Sequence, residues 1–299
     1  MGQAVTVLGL GAMGLGMARS LMRGGFNVVG CDISATAMAR FRSVDGRVIE
    51  QPARAVSGSQ VVVCVVVNAA QIEDVLFGAG GVAAEMTSDC VFVACSTMAP
   101  DFVRRLAAKV EATGCHYLDA PISGGTVRAA EGKLTIMASG SAAAFERADA
   151  ALNAMAAKVY RLGDAAGAGA AIKMINQHLA GIHIAAAAEA MVFAAKQGLD
   201  LARVYEVITA SAGNSWMFEN RVPHIVSGDY APHSAVEIFI KDMGIVQDMA
   251  RAAHYPTPLA AAALQMYLAA AAAGMRGEDD AAVAKVYAQL SNTRLPGMD

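Results

Sequence analysis

The sequence contains few charged residues, and none of its charged segments favours nucleic acid. Charged side chains make up 16% of the 299 residues, and 23 basic against 26 acidic residues leave a formal net charge of -3. Because a nucleic-acid-binding surface needs clustered lysine and arginine, we expect no nucleic-acid partner. The hydrophobic share of 56%, much of it alanine, predicts a large buried core.

The sequence also lacks the spacings that mark disulfide frameworks and metal sites. Its five cysteines are odd in number and none forms a C-x-x-C pair, so we predict reduced thiols that pack as small apolar residues. Its six histidines show neither H-x-H nor H-x-x-x-H spacing. We therefore predict that the protein has no metal site.

The apolar segments are better explained as buried elements than as targeting signals or membrane spans. The first residues carry no basic segment, and glycines interrupt their apolar run, unlike a secretory signal. Residues 179–195 contain His183 and Glu189, and both this run and 259–275 are mainly alanine. We expect a cytoplasmic protein with no membrane partner.

The chain begins with the pattern of a strand, a glycine-rich turn and a helix. Residues 5–8 are mostly β-branched, as in a strand, and Gly9-Leu10-Gly11-Ala12-Met13-Gly14 follows with G-x-G-x-x-G spacing. The first glycine permits a tight turn, the second lets the backbone approach a pyrophosphate, and the third lets helix and strand pack closely. We predict that these six residues bind a dinucleotide.

An acidic residue, Asp32, ends the second predicted strand. A carboxylate at that position accepts hydrogen bonds from the adenosine ribose and repels a 2′-phosphate. No arginine follows it immediately. The pattern therefore favours NAD over NADP as the cofactor.

Strands and helices alternate as far as residue 163, and later residues are helical in pattern. Ligands collect at the carboxyl ends of strands in open α/β sheets, so Asn68 with Val67, Thr97 and the Ser123 loop are candidates for one crevice. We predict an α/β fold with a Rossmann-like doubly wound sheet in residues 1–163 and an all-α domain in residues 164–299. Helices are expected near 201–212, 217–226, 235–253, 258–274 and 281–290.

A long interdomain helix, at about 165–197, joins the two predicted domains. It is rich in alanine, but Lys173, Asn176 and Gln177 share one of its faces because helical neighbours recur at i+3 and i+4. Alanine-rich helices pack closely, and from this composition we expect a homodimer or homotetramer.

Four stretches occur in the order typical of one known family. They are residues 9–14, Asp119-Ala120-Pro121-Ile122-Ser123-Gly124-Gly125, Gly167-Ala168-Gly169 with Lys173 and Asn176, and Phe239-Ile240-Lys241-Asp242. Together they span nearly the whole chain, and the sequence resembles the β-hydroxyacid dehydrogenase family. The resemblance implies an NAD-dependent oxidoreductase that acts on a small hydroxy acid.

The same resemblance implies roles for individual residues. Lys173 matches the catalytic lysine, which exchanges a proton with the substrate oxygen while a hydride moves to or from the nicotinamide. The Ser123, Gly124 and Gly125 loop matches the site that receives the substrate carboxylate. Thr97 and Lys241 match positions that contact the nicotinamide end of the cofactor, and Asn176 and Gln177 lie at substrate positions.

Gln177 departs from the commoner family pattern, which has asparagine one turn after the lysine. This glutamine and the segments around residues 179–190, 214–221 and 234–239 resemble the branch that oxidises L-threonate at its C2 hydroxyl. Tartronate semialdehyde reduction and 3-hydroxyisobutyrate oxidation remain alternatives within the family. A non-catalytic NAD-binding scaffold and a decarboxylating phosphogluconate-type enzyme are alternatives from outside this reaction.

Overall fold

The computed structural model describes residues 2–298. The chain divides into two compact units, Met1–Lys173 and Met174–Asp299. The division falls inside a long helix, after the residue that the sequence predicts to be catalytic, rather than at the glycine-rich segment before that helix. The first unit is α/β and the second is helical, as the predicted fold class requires.

Within the described part of the first unit, residues 2–173, one mixed sheet has nine strands. Six strands run parallel in the order β3-β2-β1-β4-β5-β6; β8 is antiparallel to both β6 and β7, and β9 is parallel to β8. The strands are β1 Ala4–Leu8, β2 Asn27–Cys31, β3 Arg47–Val48, β4 Val61–Cys64, β5 Val91–Ala94, β6 His116–Asp119, β7 Ile122–Ser123, β8 Leu134–Gly140 and β9 Ala156–Arg161.

The central strands are apolar because helices cover both faces of the sheet. Every residue of β4 and of β5 is buried, which explains their runs of Val and other apolar residues. The apolar run that begins at Val61 continues in sequence to Val67, but the strand ends at Cys64 and Val67 is 49% exposed. The chain therefore leaves the sheet three residues before its apolar run ends.

Among residues 2–298, seven helices surround this sheet, and an eighth begins in the first unit and continues into the second. Several start at residues with clear capping chemistry; the Ser34 and Ser141 side chains, for example, accept hydrogen bonds from the first turns of α2 and α7. The helices are α1 Ala12–Arg23, α2 Ala35–Arg42, α3 Pro52–Val56, α4 Ala69–Phe77, α5 Pro100–Glu111, α6 Gly125–Glu131, α7 Ala142–Met155 and α8 Ala168–Lys196.

As far as residue 298, the second unit packs five further α-helices around one apolar core. The helix that begins at Pro258 ends in one π-helical turn, Ala271–Met275, where Gly274 has φ +89°. A short 3₁₀ turn, Asp280–Ala282, precedes the last helix. The helices are α9 Leu201–Thr209, α10 Trp216–Ser227, α11 Val236–Ala252, α12 Pro258–Ala270 and α13 Val283–Leu290.

Two helical stretches are long and apolar enough to cross a membrane by length and composition. They are α8 and the run Pro258–Met275, and 50% and 28% of their apolar windows are buried inside the protein. A core helix of a soluble protein passes the same test, so this finding is weak evidence for a membrane. The expected absence of a membrane partner stays a prediction.

Candidate active site

The glycine-rich turn after β1 has the backbone geometry that its spacing predicts. Gly9 has φ +92°, a conformation that favours glycine, and a Cβ there would lie 2.8 Å from the carbonyl oxygen of Val65. A Cβ on Gly14 would lie 1.9 Å from the carbonyl oxygen of Gly9. Both glycines are therefore required by close packing between β1, α1 and the chain after β4.

Gly11 has a different role, because nothing lies within 4 Å of the position a Cβ would take. It is the N-cap of α1, and no side chain caps that helix end. The first N–H groups of a helix need acceptors, and the helix dipole favours an anion there. With Leu10 buried and Ala12 exposed beside it, this turn fits the pyrophosphate of a dinucleotide.

The Asp32 carboxylate is held in place at the carboxyl end of β2. Its Oδ2 accepts a hydrogen bond from the N–H of Leu10 at 2.5 Å, and its Oδ1 accepts one from the N–H of Ser34 at 2.7 Å. The first bond ties the acid to the glycine-rich turn. A carboxylate fixed there is suited to accept hydrogen bonds from the two ribose hydroxyls of NAD.

Ile33, which the sequence analysis did not single out, lies beside this acid and is 99% exposed. A fully exposed isoleucine next to an acid that is predicted to bind ribose is suited to cover one face of an adenine ring. In the sequence, the signal that could have identified Ile33 is an apolar residue directly after the acid at the end of a strand.

Val67, Asn68 and Thr97 lie at the same edge of the sheet, after β4 and β5. The Asn68 side chain caps α4 by accepting a hydrogen bond from the N–H of Gln71 at 2.9 Å, and the Gln71 side chain accepts one from the N–H of Val67 at 2.8 Å. Asn68 therefore holds the loop that exposes Val67. The hydroxyl of Ser96 donates to the carbonyl of Val66 at 2.7 Å and links this loop to the one that carries Thr97.

The Ser123 loop connects the two-residue strand β7 to α6. Ser123 pairs with Thr135 of β8, and Gly124 and Gly125 follow with φ values of +136° and +74°. Two consecutive residues in this region of φ strongly favour glycine. No side chain caps α6, so the loop presents backbone N–H groups in the manner of an anion site.

Lys173 lies in the second turn of α8 and is only 7% exposed. A lysine is seldom buried to this extent without a partner or a function. The helix begins at the carboxyl end of β6, because the Asp119 side chain accepts hydrogen bonds from the N–H groups of Gly167 and Ala170. Lys173 thus belongs to the same unit and the same sheet edge as the glycine-rich turn and the Ser123 loop.

Asn176 and Gln177, one turn further along α8, belong to the second unit. The Asn176 amide donates to Oε1 of Gln177 at 2.9 Å, and Nε2 of Gln177 donates to Oδ2 of the buried Asp242 at 2.5 Å. The ammonium of Lys241 contacts the other carboxylate oxygen of Asp242 at 2.5 Å. Three predicted site residues of this unit therefore form one chain of contacts through an acid, Asp242, to which the sequence analysis gave no role.

The whole chain matches known proteins. Residues 4–163 match the family model for the NAD binding domain of 6-phosphogluconate dehydrogenase, and residues 167–287 match that for NAD-binding of NADP-dependent 3-hydroxyisobutyrate dehydrogenase. A Cupriavidus necator protein named L-threonate dehydrogenase is 52% identical over 297 residues, which are 99% of each chain. The chain belongs to the β-hydroxyacid dehydrogenase family.

Two more relatives of this dehydrogenase family carry names that differ from each other. An Escherichia coli K12 protein named L-threonate dehydrogenase is 46% identical over 98% of this chain and 96% of its own length. A Salmonella typhimurium crystal structure described as 3-hydroxyisobutyrate dehydrogenase is also 46% identical, with a TM-score of 0.91 over 95% of this chain and 99% of that one.

Membership of the family makes this chain an NAD-dependent hydroxy-acid dehydrogenase. The predicted family, fold class and cofactor are thereby confirmed, and a non-catalytic scaffold is rejected. The roles of individual site residues stay predictions. Within residues 2–298, no group of three or more His, Cys, Asp or Glu side chains is arranged to hold a metal ion.

Proposed function

We propose that this dehydrogenase oxidises the C2 hydroxyl of L-threonate to the 2-oxo acid, with Lys173 as the catalytic base and NAD as the hydride acceptor. The observation that carries the mechanism is the burial of Lys173 at the sheet edge that also holds the glycine-rich turn. The substrate is supported by the names of relatives that are 46–52% identical over nearly the full chain.

The proposed step transfers one proton and one hydride. NAD, held by the glycine-rich turn and Asp32, would supply the acceptor for the hydride that leaves C2 of the substrate. The neutral amine of Lys173 removes the proton of the C2 hydroxyl, and the electron pair of that O–H bond becomes the second bond of the carbonyl. The N–H groups around Gly124 and Gly125, with the hydroxyl of Ser123, hold the substrate carboxylate and orient C2.

The decisive experiment compares Lys173→Ala with the parent enzyme. We expect kcat with L-threonate to fall about 10³-fold, because a general base contributes roughly 10² to 10⁴-fold, while the Kd for NADH stays within about twofold. Lys196→Ala is a matched control, because Lys196 ends the same helix and is exposed. Wild-type turnover by Lys173→Ala would contradict the mechanism.

Substrate identity is tested by NADH absorbance with L-threonate, D-threonate, erythronate, D-glycerate and 3-hydroxyisobutyrate. We expect L-threonate to have the highest kcat/KM. The second candidate, 3-hydroxyisobutyrate, is favoured by the description of the Salmonella structure, and a higher kcat/KM for it would replace our proposal. Tartronate semialdehyde is tested in the reverse direction with NADH.

Gln177 is the residue through which we propose that the substrate site differs from the commoner family pattern. Its side chain is long enough to reach Asp242 while it also holds the amide of Asn176. Asparagine is one methylene shorter and would lose the contact with Asp242. We expect Gln177→Asn to lower kcat/KM for L-threonate about tenfold more than for 3-hydroxyisobutyrate. Gln197→Asn, at the exposed end of the same helix, should leave that ratio unchanged.

The preference for NAD over NADP is assigned to the Asp32 carboxylate. Asp32→Asn keeps an acceptor for Leu10 but removes the negative charge that repels a 2′-phosphate. We expect the ratio of kcat/KM for NADP to that for NAD to rise at least about tenfold. A parent enzyme that used NADP alone would contradict this role of Asp32.

We further propose that the enzyme self-associates in the cytoplasm through the exposed apolar face of α8. Ile175, Leu179 and Phe193 on this face are 57%, 51% and 65% exposed, which is unusual for large apolar side chains on one helix face. Light scattering should give a dimer or tetramer, and Leu179→Glu with Phe193→Glu should shift it toward monomer. A monomeric parent protein at micromolar concentration would reject the proposal.

A further inference from the structure

The first turn of α8 is bound by two strands of the sheet. Oδ2 of Asp119, the last residue of β6, accepts hydrogen bonds from the N–H groups of Gly167 at 3.0 Å and Ala170 at 2.8 Å. The Ser139 hydroxyl of β8 donates to the same oxygen at 3.1 Å and accepts from the N–H of Gly169 at 2.9 Å. The N–H groups at this helix start, which would otherwise lack partners, are thus held by residues 30 to 51 positions away in sequence.

The backbone of the helix approaches the sheet as closely as glycine allows. A Cβ on Gly169 would lie 2.2 Å from the carbonyl oxygen of Met137 in β8 and 3.1 Å from Oδ2 of Asp119. The short approach brings the N–H groups within hydrogen-bond distance of Asp119 and Ser139. The position of this turn relative to β6 and β8 is therefore fixed by both packing and hydrogen bonds.

Lys173 follows this anchored turn directly. It is three residues after Ala170 and four after Gly169, so its side chain stands over them on the same helix face, about 5 to 6 Å further along the axis. A shift of the first turn would move the Lys173 side chain by a similar amount. Near-attack geometry tolerates errors of less than about 1 Å.

We infer that Asp119 is a positioning residue for Lys173, and that Ser139 assists it as a neutral member of the same anchor. This inference rests on the catalytic role proposed for Lys173. Asp119 is completely buried, its Oδ1 contacts no hydrogen-bond donor among residues 2–298, and the three donors to Oδ2 are neutral.

Burial raises the pKa of Asp119 to about 6, although the hydrogen bonds from Ala170, Gly167 and Ser139 act in the opposite direction. The carboxylate is therefore ionised at neutral pH and places a negative charge at the N-terminus of the helix that carries Lys173. The other titratable groups that interact with it are Tyr117 on β6 and Cys95 after β5. Burial raises the pKa values of Tyr117 and Cys95 well above neutrality, so neither titrates between pH 5 and 8.

The test compares Asp119→Asn with Ser139→Ala. Asparagine keeps one acceptor oxygen for the helix N–H groups but removes the charge. We expect Asp119→Asn to lower kcat about tenfold and to leave the Kd for NADH within about twofold. We also expect the acid limb of the pH profile of kcat to move to lower pH by up to about one unit, because loss of a nearby anion disfavours the ammonium form of Lys173. Ser139→Ala should lower kcat about threefold and leave the acid limb in place, because it removes no charge.

The outcomes separate this inference from the proposed function. If Lys173→Ala retains wild-type activity, the proposed function fails and the inference fails with it. If Lys173→Ala is inactive while Asp119→Asn has wild-type kcat and an unshifted profile, only the positioning role is overturned. If Asp119→Asn lowers thermal stability and kcat together without moving the acid limb, Asp119 is only a structural cap and the inference is also overturned. Should Asp119→Asn fail to fold, an unchanged kcat in Ser139→Ala overturns the role of the anchor, and the predicted decrease supports it.

Discussion

The two units of the protein bury their carboxylates in opposite ways. In the first unit, Asp119 is buried among neutral donors. In the second unit, each of three buried aspartates contacts a basic side chain: Asp242 contacts Lys241, Asp279 contacts His224, and Asp280 contacts Arg221.

This difference separates the carboxylate that we infer to position Lys173 from Asp279 and Asp280, which pair with basic side chains of α10. Asp242 differs from both, because it contacts the predicted site residues Gln177 and Lys241. Burial raises the pKa of Asp119 to about 6. Burial acts on Asp279 in the same direction, but hydrogen bonds from His224 and from the N–H groups of Ala281 and His233 bring its pKa below the ordinary value. Burial raises the pKa of Asp280 to about 6 as well, although Arg221 acts in the opposite direction. The two units therefore differ in the partners of their buried acids rather than in the effect of burial on the pKa.

The largest effect is expected where a paired charge of the second unit loses its partner. Arg221 binds Asp280 through two nitrogens, at 2.5 and 3.1 Å, and both residues are buried. We expect Arg221→Ala to lower the free energy of unfolding by about 3 to 5 kcal/mol, because it leaves an uncompensated buried carboxylate. Urea unfolding measures this change.

A matched control uses an exposed pair of the same unit. Arg203→Ala removes an ion pair with Glu206 in which both side chains are about 70% exposed, and should cost less than about 1 kcal/mol. Equal losses of unfolding free energy in the two variants would show that burial does not determine how much these ion pairs stabilise the protein.

The next effect concerns the anchored turn of the first unit. Gly169→Ala places a Cβ 2.2 Å from the backbone carbonyl of Met137, and we expect a loss of about 1 to 3 kcal/mol in the free energy of unfolding together with a lower kcat. Gly163→Ala, in the segment before the helix, places its Cβ at an ordinary 3.5 Å from Ala168. For this control we expect a thermal unfolding midpoint and a kcat near the parent values. Similar losses of stability and kcat in both variants would reject the role of the close approach between the helix backbone and β8.

A smaller effect is expected in the pH dependence of stability. The hydrogen bond with Asp279 raises the pKa of His224 above its ordinary 6.5, against the opposing effect of burial. A raised folded-state pKa means that the stabilisation is complete below pH 6.5 and is lost as pH rises through the folded-state value. Relative to His224→Gln, the parent should therefore lose unfolding free energy as the pH rises from 6 to 8.5.

Urea unfolding at several pH values measures this difference. A parent and a His224→Gln variant with parallel pH profiles would show that the pair adds nothing to stability.

The smallest expected effect is a gain. Gly244 lies inside α11, and nothing is within 4 Å of the position its Cβ would take. Gly244→Ala should raise the unfolding free energy by about 0.5 to 1 kcal/mol through helix propensity. Gly181→Ala, in which the Cβ meets the Met243 sulfur at 2.5 Å, should destabilise instead. A gain in both variants would mean that the core near Met243 adapts easily.

Much of the fold follows from local patterns in the sequence. The helix expected at about 165–197 is observed as Ala168–Lys196, and the helices expected at 217–226 and 235–253 are observed as Trp216–Ser227 and Val236–Ala252. The glycine-rich turn was equally predictable, because its spacing, its strand and its acid lie within the first 32 residues. The two-residue strands β3 and β7 were not predicted, since so few residues carry no periodicity.

The connections of the site were not predictable in the same way. Asp119 and Ala170 are 51 residues apart, and Gln177 and Asp242 are 65 apart. Each bond depends on tertiary packing, for which a single sequence has no local signal. Resemblance to the family identified Asp119 and Asp242 as members of motifs but did not indicate what either side chain contacts.

The buried thiols allow the unfolding of the first unit to be followed separately by thiol modification. All five cysteines are buried, they lie between residues 31 and 115, and burial raises the pKa of Cys31 to about 11 and those of Cys64 and Cys90 to about 12. A thiol reagent therefore reacts only with molecules in which this unit has opened, since the thiolate is the reactive form. Pulsed alkylation during denaturation would therefore measure when the cofactor-binding unit unfolds. The second unit contains no cysteine and would not contribute to the signal.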